Sequence, residues 1–254
     1  MEGQKGLLDG QHVLIVGGGS GIGRATAVKA ATAGADVTIA GRTLSKLEAV
    51  RDALSGTGRE IGVQSTDMTD EVSVSMLFER LAPSHLDHLV ITAAQTKHGL
   101  FADLPLQDAQ SVFSSKFWGP YRVARAALRR LRDHGSIVFF SGVLSRRPGL
   151  NCSTLGAVNA AVEGLTRSLA LELGPKLRVN CISPGMVRSE AYAAMPEDQR
   201  RAMYEATGES LPVHRVGEVD EIADAVLFLM INGYVTGLVL DVDGGHMVRQ
   251  YARR

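Results

Sequence analysis

The stretch Gln11–Gly23, reading QHVLIVGGGSGIG, constrains this chain more than any other. Val13–Val16 is a short apolar run suited to a buried strand, and a glycine-rich turn follows it without a break. After Gly23 the chain reads RATAVKAATAGA, an alanine-rich helical pattern. Strand, turn and helix in that order bring a phosphate to the open N–H groups at a helix start, and glycine lets the backbone come close. The spacing is Gly17-x-x-x-Gly21-x-Gly23, rather than the tighter dinucleotide spacing. Glycines also serve plain tight turns, but the place of these, directly behind an apolar strand, favours a nucleotide site.

With 254 residues, the chain can bury a large core and fits one α/β domain at least as well as two small ones. Its apolar share of 45% is too high for a disordered chain. The 27 basic and 27 acidic residues cancel, so no overall field draws the chain to nucleic acid or to a membrane surface. RRLR at 129–132 and the terminal arginines read as solvated charge. Cys152 and Cys181 form neither a disulfide framework nor a metal-ligand pattern. With no signal-peptide hydrophobic region and no run of membrane-spanning length, a cytoplasmic, soluble protein is expected.

Taken in order, strands are predicted at 35–42, within 58–70, and at 86–94, 135–142, 177–185 and 237–245, after the first at Val13–Val16. Helical spacing marks 44–54, 71–82, a single long pattern over 107–132 bent or tightened at Pro120, then 153–172 and the segment GEVDEIADAVLFLM. An excursion over 186–217 carries aromatic residues and a helix-like PEDQRRAMYEAT. About seven strands alternating with helices predict one Rossmann-like, doubly wound parallel α/β sheet with helices on both faces. The ligand crevice then lies beyond the carboxyl ends of the strands. That rim gathers Gly17, Gly19, Ser20, Gly21, Ile22 and Gly23 with Arg42, Asp67, Thr92, Ala93, Gln95, Ser141, Gly142, Pro184 and Gly185.

Arg42 directly follows the second strand, where a dinucleotide site commonly needs an acid for the ribose hydroxyls. A cation there suits the extra phosphate of NADP(H). Arg24 either assists or faces solvent. Asp67 and Met68 are expected to border the adenine through one polar and one apolar contact, unless Asp67 only caps a turn.

Over nearly its whole length the chain resembles the short-chain dehydrogenase/reductase family. The resemblance rests on the Gly17–Gly23 turn, with Val16 where a threonine is common, on Asp67, on Gly119 in the long helix, and on Asn180, Pro184 and Gly185. DVDGG at 241–245 resembles the family's ending. It implies a Rossmann-like subunit in a homodimer or homotetramer, pairing through its long helices and through its last helix and strand. It also implies that 186–217 is a substrate lid. The family's chemistry uses a serine, a tyrosine four residues before a lysine, and a helix asparagine. Here the segment is LGAVN, so Leu155 takes the tyrosine position and Asn159 the lysine position. Gly142, next to Ser141, takes the serine position, and Lys116 takes that of the asparagine. ITAAQ at 91–95 replaces the asparagine-alanine-glycine stretch after the fourth strand.

Leucine has no proton to exchange with a carbonyl or alcohol oxygen, whereas a tyrosine does general acid–base work. No tyrosine lies between Tyr121 and Tyr192 to rescue the motif. Lys and Asn look exchanged between two helices, with Lys116 supplying charge near the nicotinamide ribose and Asn159 supplying hydrogen bonds. The alternative leaves Lys116 extended into solvent. Ser141, Lys116, Asn159 and His98 are the candidate catalytic residues. His98 ranks as a proton carrier because an unperturbed imidazole titrates near operating pH, although a surface role competes. Asn151, Ser153, Thr154, Lys97, Tyr192, Tyr204 and His214 are other polar groups near the vacant positions or in the excursion. Arg146 and Arg147 are expected either to orient a substrate or to solubilise their loop, and Cys152 has no visible partner to activate it.

Three readings follow. One is an atypical NADP(H)-dependent oxidoreductase acting on a small carbonyl or alcohol, whose product is readily protonated or otherwise stabilised. The second is a non-redox enzyme on the same fold, and the third an NADP-binding pseudoenzyme. No metal, nucleic-acid or membrane partner is expected.

Overall fold

Period-two alternation in the first strand sets up both faces of the sheet. The structure is a computed structural model that describes residues 6–81 and 85–249. Strand β1 (His12–Val16) is buried throughout. Its Val13 and Ile15 pack into one apolar layer with α1 (Gly21–Thr32), α2 (Leu44–Leu54) and, late in the chain, α8 (Val219–Ile231). Leu14 and Val16 point the other way, into a layer formed with α3 (Glu71–Glu79), α5 (Gly119–Ala127) and α6 (Ser153–Leu173). A strand with both faces buried reads as the continuous apolar run seen in the sequence.

The main sheet also holds β2 (Asp36–Gly41), β3 (Ile61–Ser65), β4 (Leu86–Ile91), β5 (Leu131–Phe140), β6 (Leu177–Pro184) and β9 (Val239–Val242). Its order is β3-β2-β1-β4-β5-β6-β9 and every pairing is parallel. The expected single Rossmann-like sheet of seven strands, with helices on both faces, is what forms. The chain winds outward from β1 to β3 and then returns to β4 on the other side. The crevice therefore opens where β1 and β4 end.

Two expectations need correction. The long helix of 107–132 is three pieces: α4 (Leu106–Phe113), a π-turn over Ser114–Trp118, and α5. Pro120 has no N–H to give to the Lys116 carbonyl, and the ladder widens just ahead of it, with Gly119 N–H donating to Ser114 O. Leu131 and Arg132, expected at the helix end, already belong to β5. The final strand is also shorter than 237–245. The Asp243 carboxylate accepts from Gly245 N and Met247 N, both at 2.8 Å, and turns the chain after Val242.

The excursion 186–217 contains α7 (Glu197–Glu209) and is closed at its base by two short parallel strands, β7 (Val187–Arg188) and β8 (Gly217–Glu218). Arg188 bonds Glu218 there at 3.2 Å. The terminal arginines lie outside the described residues, as does the last residue of the expected helix 71–82. Among the described residues no helix is long and apolar enough to cross a membrane.

Candidate active site

Backbone sterics shape the glycine turn. Gly17 has φ +101°, and a Cβ on it would lie 2.4 Å from Thr92 Oγ1. A Cβ on Gly23 would lie 2.1 Å from Gly17 O. No side chain fits at either place, so the turn lies flat against the ends of β1 and β4 beside the start of α1. Beside it runs a cleft of about 470 Å³, lined by Gly17, Gly19, Ser20, Gly21, Ile22 and Gly23, by Arg42, Asp67, Met68 and Ala93, and by Thr43, Lys46, Ser189 and Glu190. The structure thus brings the N-terminal part of the sequence-derived rim together. Pro184 and Gly185 end β6 elsewhere along the sheet, with Gly185 N donating to Val242 O at 3.1 Å. Asn180 is fully buried and ties β6 to Val235 and Leu238.

Arg42 is exposed at the far side of this cleft. With its amide turned to accept, Gln95 takes hydrogen bonds from Arg42 Nη1 at 2.5 Å and Nη2 at 3.3 Å. Lys46 stands in the first turn of α2, so two cations and a helix start converge there, a setting that fits a phosphate. The Asp67 carboxylate accepts from Thr69 N and Thr69 Oγ1 at 2.9 and 2.7 Å. Burial pushes its pKa upward, but the Thr69 bonds and the Arg42 charge outweigh that and hold it below the ordinary value. Asp67 does cap its turn, and it also lines the cleft.

The candidate catalytic residues Ser141, Lys116, Asn159 and His98 do not line that cleft, and the region around Leu155 is packed by side chains. Leu155 joins Val112 and Val158 in a small apolar cluster, with Phe113, Phe117 and Leu144 against it. Lys116, from the π-turn, is buried rather than extended into solvent. Its Nζ donates to Ser141 O at 3.1 Å and Phe140 O at 3.5 Å, and burial pulls its pKa down to about 8. Asn159 Nδ2 donates to Gly142 O at 3.3 Å, while its buried Oδ1 has no partner among the described residues. A Cβ on Gly142 would lie 3.0 Å from that same Nδ2. Ser141 is buried and its hydroxyl donates to Glu163 Oε1 at 3.1 Å. Ser145 Oγ donates to the same oxygen at 2.5 Å.

His98 and Cys152 meet at the start of α6. His98 Nδ1 lies 3.4 Å from Cys152 Sγ, so the cysteine does have an imidazole neighbour. Burial nevertheless pushes that thiol's pKa upward. Arg146 is taken up by Asp241, with one bond at 2.9 Å, and by Ser183 and Glu163. Arg147 is buried and donates to His246 O and, at 3.1 Å, to Arg249 O. Both arginines therefore tie their loop to other parts of the fold, with the Arg146 side chain still 39% exposed. Tyr204 packs inward, edge-on to Tyr192 at 5.9 Å and beneath the Arg188 guanidinium. Lys97 and His214 are exposed.

Sequence reasoning missed Lys46, Ser189, Glu190 and Glu163. Lys46 had a signal, one helical turn beyond Arg42 in GRTLSK. Glu163 lies one turn after Asn159 on the same helix face. Glu190 had none, because its partner Gly21 is 169 residues away.

Comparison with known proteins now adds to this geometry. Residues 17–247 match the family described as enoyl-(acyl carrier protein) reductase. The short-chain dehydrogenase/reductase ATR9 of Stachybotrys chlorohalonatus is 30% identical over 248 residues, 93% of this chain and 96% of that protein. The reductase/Diels-Alderase MalC from Malbranchea aurantiaca has a similar structure, with a TM-score of 0.90 at 29% identity over 96% of this chain and 99% of that one. A small-chain dehydrogenase solved in complex with NADPH has a TM-score of 0.78 at 38% identity, covering 93% and 98% of the two chains. The chain belongs to the short-chain dehydrogenase/reductase family of oxidoreductases.

Proposed function

We propose that this protein is an NADP(H)-dependent oxidoreductase of a small carbonyl or alcohol substrate, with the family's usual acid–base group replaced. The observation that carries the cofactor is the convergence of Arg42 and Lys46 at the α2 start, beside the glycine turn. The relative solved with NADPH supports the same reading. When bound, the nicotinamide supplies or accepts a hydride. The chain's own part is to hold it: Gly17–Gly23 N–H groups for the diphosphate, Arg42 and Lys46 for the extra phosphate, Asp67, Met68 and Ala93 along the adenine side, and Pro184–Gly185 beyond the nicotinamide.

On the reacting side, the buried Lys116 ammonium and the unpartnered Asn159 Oδ1 take the places of the family's asparagine and lysine. Lys116 supplies positive potential at the end of β5, and Asn159 offers an acceptor to a ribose hydroxyl. Ser141, whose hydroxyl is engaged by Glu163, acts as a positioning residue. His98, exposed beside Cys152 at the start of α6, serves as the proton carrier. Such a site suits a substrate whose reduced or oxidised product is stabilised without a strong acid from the protein.

The excursion 186–217 serves as the substrate lid of a single domain spanning 1–254. The functional unit is a homodimer or homotetramer. A groove of about 220 Å³ lined by Tyr121, Leu128, Leu169 and Leu173 lies on the long helices that would pair. The balanced charge argues against nucleic acid as a partner, and a cytoplasmic location is part of the same proposal. A second, non-redox reading is favoured by Leu155 and by the likeness of this fold to that of MalC, a reductase/Diels-Alderase. Incubation with NADPH and a panel of carbonyl compounds separates the two. Catalytic NADPH loss supports the first; product without net cofactor change supports the second.

A further inference from the structure

Glu190 sits on donors suited to a cofactor phosphate. Its Oε2 accepts from the Gly21 N–H at 2.9 Å, and its Oε1 lies 2.8 Å from Arg24 Nη2. Gly21 is the first residue of α1, a twelve-residue helix whose N-cap, Ser20, makes no side-chain capping bond among the described residues. The helix start therefore takes its anion from another part of the chain. Glu190 opens the short turn Glu190–Tyr192, carried by the excursion 186–217, and both it and Gly21 line the cofactor cleft. The side chains of Arg24 and Glu190 are about half exposed, so nothing in the core pins the pair in place.

A carboxylate and a diphosphate present the same chemistry to these donors, namely negatively charged oxygen aimed at a helix N–H and a guanidinium. Both cannot occupy one seat, because their charges repel. We propose that Glu190 is an internal stand-in for the cofactor's diphosphate. It caps the glycine turn of the cofactor-free chain, and the dinucleotide binds by displacing it. The exchange hands Arg24 to the diphosphate and frees residues 189–192 from the turn. Tyr192, two residues further on, moves with them, so cofactor occupancy sets the position of a substrate-side aromatic. Arg24 thereby becomes a cofactor-binding residue. This inference rests on the NADP(H) reading given above.

The test titrates NADPH by its fluorescence into the full chain as wild type, Glu190→Ala and Glu190→Gln, with melting temperatures alongside. Where a competing internal anion occupies most molecules, the apparent Kd is raised by the inverse of the competent fraction. Glu190→Ala is expected to tighten NADPH binding about five- to tenfold. Glu190→Gln, which keeps an acceptor for Gly21 but loses the charge on Arg24, falls between it and wild type. In parallel, hydrogen exchange over 186–195 is followed with inorganic pyrophosphate as the probe. Exchange should accelerate in wild type and stay unchanged in Glu190→Ala. Equal or weaker NADPH binding by a folded Glu190→Ala protein overturns the proposal and leaves Glu190 as a plain helix cap. Failure of all three proteins to bind NADPH overturns the cofactor reading together with it.

Discussion

Around the glycine turn, identities are dictated by backbone, since a Cβ on Gly23 would lie 2.1 Å from a carbonyl oxygen. Around Leu155 they are dictated by neighbouring side chains: Val112 and Val158 accept a leucine, and Asn159 fills the space where Gly142 has no Cβ. A backbone constraint tolerates almost no substitution. A packing constraint tolerates several, provided that volume and polarity are changed together. The glycine turn and the surroundings of Leu155 therefore answer to different physics.

Substituting the charge at the cleft should separate the two sides most sharply. Arg42→Asp is expected to weaken NADPH binding about 30-fold, roughly 2 kcal/mol, and to spare NADH. Fluorescence titration of both cofactors checks this, and equal losses for the two would show that Arg42 does not read the extra phosphate. The reacting side should respond in stability rather than in rate. Leu155→Tyr forces a hydroxyl and extra volume into an apolar cluster and is expected to cost about 1–3 kcal/mol. It should not raise carbonyl reduction, because Asn159 and Gly142 remain unchanged. A large gain in turnover would mean that the site is a conventional one lacking a single group.

The smallest effect concerns Lys116. Burial lowers its folded pKa from 10.5 to about 8, so between these values the unfolded chain holds a proton that the folded chain has released. Stability from this group therefore rises with pH across that window, by about 1 kcal/mol between pH 8 and 9. Lys116→Met should lack this rise, as measured by denaturant melts at the two pH values. Above pH 9 the buried Cys181 thiol, pushed up to about 11, opposes it. The lower part of the window is thus the informative one. An identical slope in both proteins would place the titration elsewhere.

Much of the fold was legible because its signals are local. The run Val13–Val16, the glycines behind it and Arg42 after β2 each lie within a few residues of the element that positions them. That Leu155 stands where a tyrosine is usual was legible only through the resemblance to the family, whose motif meets LGAVN here. Other features depend on contacts across the fold. That Lys116 turns inward depends on a π-turn set by Pro120, and that Ser141 faces Glu163 depends on helix α6 packing beside β5. The Glu190 contact with Gly21 joins segments at opposite ends of the chain, and no periodicity announces such a meeting.

The Arg147 bonds to His246 O and Arg249 O carry a consequence for the order of assembly. During synthesis the strands and glycine turn of the cofactor cleft leave the ribosome first and can dock early. The loop ahead of α6 cannot complete its hydrogen bonds until residue 249 has emerged. The newborn chain therefore completes this loop only after all seven strands of the main sheet have been made.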